Sequence, residues 1–312
     1  MRILVTGGAG FIGSHIAELA LSSGHEVAVL DDLSTGKREN LPSGVELYVA
    51  DVRDRSATEN VFQTFKPEAV SHQAAQASVS ISMKDPGLDA EINILGGLNV
   101  ATSARDCGCE RFVFASTGGA IYGNIARDAA AEDWRTDPIS PYAINKYAYE
   151  KLLSVFRGQG AFQSTILRYA NVYGPRQDPH GEAGVVAIFY RRVLTNLDIQ
   201  VNGMQRSGDD GCIRDYVYVA DVARANLAAL TGKLESPLMN IGTGVETTTR
   251  ALARSICSSM PDSTTQISNG PPREGDVERS VLDGAKYVSE FGGFVSLEDG
   301  LALTRDWFRA NQ

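Results

Sequence analysis

Short apolar runs alternate with stretches of helical spacing from the start of the chain. Ile3-Leu4-Val5 is an apolar run ended by glycines, which predicts a buried strand. Ile12, Ile16, Leu19 and Ala20 then fall on one face of a helix over residues 11–23; Gly24 stops it, and Glu26 to Leu30 reads as the next strand. The same alternation predicts strands at 45–49, 69–72, 111–115 and 164–168, and helices at 56–65, 89–107 and 142–157. Strands separated by helices need crossover connections, so the expected fold class is α/β with a doubly wound parallel sheet. After about residue 172 the pattern changes. A Gly/Pro/Asp-rich stretch at 174–184 is followed by shorter elements, which suits a smaller C-terminal lobe over 173–312 beside a first domain over 1–172. Residues 215–230 read again as strand then helix, so segments near 214–242 are expected to return to the first domain and the lobes to interleave partly.

A chain of 312 residues accommodates one large α/β domain and a smaller appended one. Its 43% hydrophobic and 21% charged residues are the balance of a soluble globular protein. With 29 Lys plus Arg against 38 Asp plus Glu, the net charge of -9 repels polyanions, so no nucleic-acid partner is expected. Local N–H groups and a few arginines can still hold a small anion. The 4 cysteines are too few for a disulfide framework, and Cys107-Gly108-Cys109 lacks a matching metal pair, so free thiols are expected. No metal-ligand cluster is visible, and none is expected. The chain opens straight into a strand and glycine turn, with no signal peptide and no run of membrane-spanning length, so a cytoplasmic location without a membrane partner is expected.

The candidate chemistry begins at Thr6-Gly-Gly-Ala-Gly-Phe-Ile-Gly13, between the first strand and the first helix. Glycine there allows a tight turn and lets backbone approach a pyrophosphate, while the helix offers free N–H groups and its positive end. That context makes the sheet Rossmann-like and the ligand a dinucleotide. Asp31 and Asp32 end the second strand; a carboxylate there accepts from adenosine ribose hydroxyls and repels a 2′-phosphate, so NAD is expected rather than NADP. Asp51, followed by Val52 after the third strand, reads either as a contact to the adenine edge or as a helix cap. Tyr142 and Lys146 stand four apart at a helix start, hence on one face, and a nearby ammonium is expected to lower the phenol pKa so that Tyr142 can exchange a proton with a sugar hydroxyl. The strand ending in Ala115-Ser116-Thr117 supplies a hydroxyl to relay that proton.

Together these features resemble the extended short-chain dehydrogenase/reductase superfamily. Longer strings narrow the resemblance to UDP-glucose (galactose) 4-epimerases: DDLSTGKREN (31–40), HQAAQASVS (72–80), FASTGGAIYG (114–123), SPYAINK (140–146), LRYANVYGPRQDP (167–179), GEAGVVAIF (181–189), RDYVYVADVA (214–223), NIGTG (240–244) and PREGD (272–276). They run in order over nearly the whole chain. The resemblance implies an NAD site lined by Gly7, Gly10, Phe11, Ile12, Asp31, Asp32, Ser34, Gly36, Asp51, Val52, Gln73, Ala74, Ala75, Gln76 and Ala115. It implies Tyr142 as base, Lys146 as its tuner and a nicotinamide-ribose ligand, and Tyr169 beside the nicotinamide. Asn171, Arg214, Arg273 and Asp276 would hold the UDP group, arginine because its fork binds two oxygens at once. The alternative for Arg214 is a pair with Asp215 or another carboxylate.

The chain departs from that pattern at two places. Where many relatives have Ser or Thr, it has Gly118, which shifts the expected relay to Thr117 with Ser116 in support. Four residues after Asp276, where some relatives carry a bulky tyrosine, it has Ser280, which leaves room for N-acetylated UDP-hexoses. The implied reaction is C4 epimerisation of a UDP-hexose through a 4-keto sugar, in a homodimer built on the helices at 89–107 and 142–157. A 4,6-dehydratase is a lesser reading, because Gly118-Gly119 stands where those relatives have carboxylates. A UDP-glucuronate epimerase or decarboxylase lacks an assigned cation for its substrate. A non-catalytic NAD sensor would not need the Tyr142/Lys146 pair.

Overall fold

The structure is a computed structural model that describes residues 1–179, 184–272 and 277–311. Its strands run in chain order as β1 (Arg2–Thr6), β2 (Glu26–Asp31), β3 (Glu46–Val49), β4 (Ala69–His72), β5 (Arg111–Thr117), β6 (Gln163–Tyr169) and β7 (Asn171–Tyr173). They continue as β8 (Ile199–Asn202), β9 (Ile213–Arg214), β10 (Tyr216–Tyr218), β11 (Leu238–Ile241), β12 (Thr247–Thr248), β13 (Ile267–Gly270) and β14 (Arg279–Ser280). The helices are α1 (Phe11–Ser22), α2 (Arg55–Phe65), α3 (Val79–Lys84), α4 (Pro86–Ala90), α5 (Gly97–Asp106) and α6 (Gly118–Ile121). After them come α7 (Pro141–Gly158), α8 (Val185–Leu194), α9 (Val219–Leu230), α10 (Thr249–Ser258), α11 (Ala285–Phe291) and α12 (Leu297–Ala310). Among the described residues, no helix is long and apolar enough to cross a membrane.

Two compact units divide the chain: 1–117 with 138–168 and 222–239, and 118–137 with 169–221 and 240–312. The main sheet has the order β11-β6-β5-β4-β1-β2-β3, and its β2–β3, β1–β2, β1–β4 and β4–β5 pairs are parallel. Ile3, Leu4 and Val5 have no exposed surface, as a strand covered on both faces requires. The chain builds outward from β1 to β3, then crosses back to lay β4 on the other side of β1. Where the order reverses, the ends of β1 and β4 stand side by side, Thr6 paired with His72. That reversal is where a doubly wound sheet opens a crevice for a ligand.

Helix α7 starts at Ser140, whose hydroxyl accepts from the Ala143 N–H, with Pro141 in the first turn. Its buried stripe is Ala143, Lys146, Tyr149, Glu150 and Leu153, so two ionisable side chains stand inside an otherwise apolar face. The single helix expected at 89–107 is instead α4, a π-helical turn over Glu91–Gly96, and α5. Hydrophobic spacing does not register one extra residue per turn, so the periodicity reads straight through it.

In the second unit, β7 and β10 pair in parallel, β8 pairs with β13, and β9 lies between β12 and β14. The rungs bring Ser280 opposite Arg214 and Asn171 opposite Tyr216.

His72 lies under the sheet reversal, with ring centroids 5.7–5.9 Å from Tyr149, Phe112 and Phe114, and it shares a 2.7 Å hydrogen bond with the Thr6 hydroxyl. Burial, with Lys146 nearby, pushes its pKa down from 6.5 to about 3. Between those values the unfolded chain binds a proton at this residue that the folded chain refuses, so stability falls as pH drops through that window. His72→Phe removes the difference. Its urea-unfolding free energy is expected to fall less steeply with acid than that of the wild type, by up to about 1.4 kcal/mol per pH unit, and parallel curves would refute the assignment.

Candidate active site

The glycine turn closes on the loop that follows β4. The Gln73 N–H donates to the Thr6 carbonyl at 3.0 Å and the Ala74 N–H to the Thr6 hydroxyl at 3.3 Å. Gly7 has φ +65, and a Cβ on it would stand 2.6 Å from the Ala74 nitrogen, so only glycine lets the two loops meet. A Cβ on Gly13 would collide with the Gly7 oxygen. Gly10 caps α1 with no side-chain hydrogen bond, which leaves the helix start, with Phe11 and Ile12, open to an anion. A cradle shaped by absent side chains at the positive end of a helix fits the pyrophosphate of a dinucleotide.

Asp31 is buried and braces this cradle: the Ala9 and Leu33 N–H groups each donate to it at 2.9 Å, and Gly36 packs against its carboxylate. Burial raises its pKa and those backbone bonds oppose the rise. Asp32 is exposed and accepts from both the N–H and the hydroxyl of Ser34. Asp51 is not the cap of α2. Asp54 fills that place, accepting from the Ala57 N–H, while Asp51 holds the Arg53 guanidinium at 2.6 Å and titrates below the usual carboxylate range because of it. Val52 behind it is buried. Gln73 donates to Ser71 and Asn226, Ala75 is half-buried, and Gln76 turns inward.

The end of β5 and the buried face of α7 bring the candidate proton-transfer residues together. The Lys146 ammonium donates to the Ala115 carbonyl at 3.0 Å and stands 4.8 Å above the Phe114 ring. Burial pushes its pKa down to about 8, and the carboxylates of Asp89 and Glu150 pull the other way. Tyr142 lies beside Thr117, whose hydroxyl favours the phenolate. The expected lowering of its phenol is not found: burial pushes it up to about 12, Thr117 pulls it down, and Asp89 adds to the rise. Spacing alone shows an ammonium on the same face but not the desolvation that outweighs it. Ser116 donates to Glu150 at 2.5 Å, and Glu150 is locked to Arg168 at 2.6 Å. The Ser116 hydroxyl is therefore anchored by Glu150, and Thr117 is the hydroxyl that acts on the phenol.

Several polar groups of this centre carry no motif of their own. Asp89 has no exposed surface and accepts from Gln76 at 2.6 Å and Asn145 at 2.7 Å. Asn93, in the π-helical turn, donates to the Gln76 carbonyl at 2.9 Å, while its own side-chain oxygen is buried without a partner, an open acceptor beside the cradle loop. Glu150 sits one turn beyond Lys146, which the spacing could have shown. Asp89 has no such signal, because a lone carboxylate on a helix reads as solvated.

In the second unit Tyr169 is buried at the end of β6. The Asn171 N–H donates to the Asp215 carbonyl, and the Asp215 N–H to the Ser280 carbonyl, so these three stand on one rung. A Cβ on Gly119 would lie 3.3 Å from the Asn171 side-chain oxygen and 4.0 Å from the Ser280 hydroxyl, which places three small or polar residues along one wall. Arg214 donates to the Ile213 and Glu278 carbonyls. It does not pair with Asp215, whose buried carboxylate instead accepts from Thr243, Gly244 and Leu282. A Cβ on Gly118 would crowd the tip of the buried Leu282 side chain, so a side chain there requires Leu282 to give way. Arg273 and Asp276 lie outside the described residues.

A family profile described as "NAD dependent epimerase/dehydratase family" matches residues 3–242. The UDP-glucose 4-epimerase of Mycolicibacterium smegmatis is 42% identical over 318 residues, covering 99% of each chain. The crystal structure of the Thermus thermophilus UDP-glucose 4-epimerase in complex with NAD superposes with a TM-score of 0.95 at 51% identity, covering 100% of both chains. That of UDP-glucose 4-epimerase from Thermotoga maritima with UDP-glucose gives 0.92 at 45% identity, covering 100% of this chain and 99% of that one.

The glycine cradle yields a direct test. Gly13→Ala forces the new methyl onto the Gly7 carbonyl, so NAD affinity measured by calorimetry is expected to drop by about tenfold or more. Wild-type affinity would show that the first turn of α1 does not shape the site.

Proposed function

This chain belongs to the NAD dependent epimerase/dehydratase family, and from that premise we propose that it interconverts UDP-hexoses at C4, UDP-glucose with UDP-galactose, using NAD. The observation that carries the proposal is the buried Lys146 on the helix face that bears Tyr142, its ammonium 5.9 Å from the centre of the phenol ring, with the Thr117 hydroxyl acting on that phenol. NAD, when bound, would supply the hydride acceptor and donor for C4, and the charge of its oxidised ring would favour the phenolate that burial opposes. Tyr142 accepts the C4 hydroxyl proton, with Thr117 relaying between sugar and phenol. Lys146 keeps a positive charge beside the phenolate and reaches the cofactor ribose. Gly7, Gly10, Phe11 and Ile12 receive the pyrophosphate, and Asp31, Asp32 and Ser34 the adenosine ribose. Asn171, Arg214, Arg273 and Asp276 hold the UDP group while the 4-keto sugar turns about its diphosphate link. Gly118 and Gly119 carry no acid, and a side chain at Gly118 would crowd Leu282, which weighs against the 4,6-dehydratase reading.

The exposed apolar side chains Leu95 in the π-helical turn and Ile144 and Val155 on α7 support a homodimer built on the helices at 89–107 and 142–157. All four cysteines carry free thiols, which suits a cytoplasmic location. Small residues at Gly119 and Ser280 support acceptance of N-acetylated UDP-hexoses as well.

Tyr142→Phe is expected to keep NAD and to lose about 10²–10⁴ in turnover of UDP-galactose, read by NMR at C4. Full activity in that variant would overturn the proposal. Ser280→Tyr is expected to abolish turnover of UDP-N-acetylglucosamine while sparing UDP-glucose. Equal effects on both sugars would remove Ser280 from specificity.

A further inference from the structure

Asp89 is a fully buried carboxylate whose two hydrogen-bond donors, Gln76 and Asn145, are neutral amides. Amides stabilise the charge without cancelling it, and a buried charge left uncancelled is costly. The charged groups around it are already engaged or point to solvent. Lys84, Asp85 and Glu91 on α3, α4 and the π-helical turn are exposed, and Arg53 is held by Asp51 with Glu91 nearby. Glu150 on α7 is bound by Arg168 from β6, and His72 on β4 is neutral near pH 7. Of the groups on α7 facing Asp89, its charge is felt at Lys146 and at Tyr142. Asp89 also ties segments together: Asn145 stands between Tyr142 and Lys146, Gln76 follows β4, and the Gln76 carbonyl holds Asn93.

We propose that Asp89 is a positioning residue, the fixed negative charge that keeps Lys146 an ammonium beside Tyr142 and thereby sets the pH window of the reaction. The role rests on Tyr142 and Lys146 acting as base and tuner. A negative charge opposes proton loss from both groups. In the NAD-bound protein, where the positive charge of the oxidised ring brings the Tyr142 phenol below the Lys146 ammonium, the acid limb of the rate profile marks proton loss from Tyr142 and the alkaline limb proton loss from Lys146. Removing the charge makes both losses easier, so both limbs move to lower pH. Loss of packing alone would lower the rate and leave the limbs in place.

The test compares Asp89→Asn and Asp89→Ser, which remove the charge with different shapes, and Asp89→Glu, which keeps it, each as NAD-bound protein checked for folding by thermal melting. In both neutral variants the two limbs of the kcat/KM profile are expected to shift acidward by about one pH unit, and in Asp89→Glu to stay near wild type. The phenolate absorbance of Tyr142, isolated by subtracting the Tyr142→Phe spectrum, is expected to shift in the same direction. It needs no substrate, so it decides the role of Asp89 even if no UDP-hexose is turned over. Unmoved limbs and an unmoved phenolate midpoint in the neutral variants, or a shift in Asp89→Glu matching theirs, would overturn the proposal.

Discussion

The burial of one ammonium organises the chemical centre. Lys146 has 3% of its surface exposed, and withdrawing such a charge from water costs several kcal/mol unless its surroundings answer it. Here they answer from every side: the Ala115 carbonyl, the face of Phe114, and the carboxylates of Asp89 and Glu150. Each compensation brings its own requirement. Glu150 is itself buried and needs Arg168, and Ser116 adds a further bond to the same carboxylate. Asp89 needs two amides, one of them inside the Tyr-x-x-Asn-Lys string. A polar stripe within the core of α7 is intelligible only as the consequence of that buried charge.

Sheet topology supplies the other half of the site. The chain reverses its order between β1 and β4, so the loops leaving those strands are neighbours, and Gly7 permits their contact. The same reversal places His72 beneath the glycine turn and Gln76 beside Asp89. The glycine turn and the face of α7 that carries Tyr142 and Lys146 are therefore parts of one polar layer, joined through Thr6, Ala74, Gln76 and Asp89.

Much of this was legible in the residues alone. The alternation of apolar runs and helical spacing gives the strands and helices of the parallel sheet, and the glycine turn with the Tyr142/Lys146 spacing points to NAD and a sugar hydroxyl. What escaped was physical detail that one-dimensional spacing does not encode. The π-helical turn interrupts a helix without interrupting its hydrophobic pattern. Asp54 rather than Asp51 caps α2, because the helix begins at Arg55, and Asp51 is paired with Arg53 instead. Proximity of Lys146 suggests an acidified phenol, but depth of burial reverses the sign. Asp89 is silent in the sequence because its importance lies in what surrounds it.

The collision between Gly118 and Leu282 also bears on how such an enzyme can change over generations. A side chain placed at Gly118 would meet a core leucine of a different segment, so Leu282 would have to turn aside or shrink to admit it. Change at this position is thus held back by packing, and the barrier stands one residue from the hydroxyl that acts on the phenol.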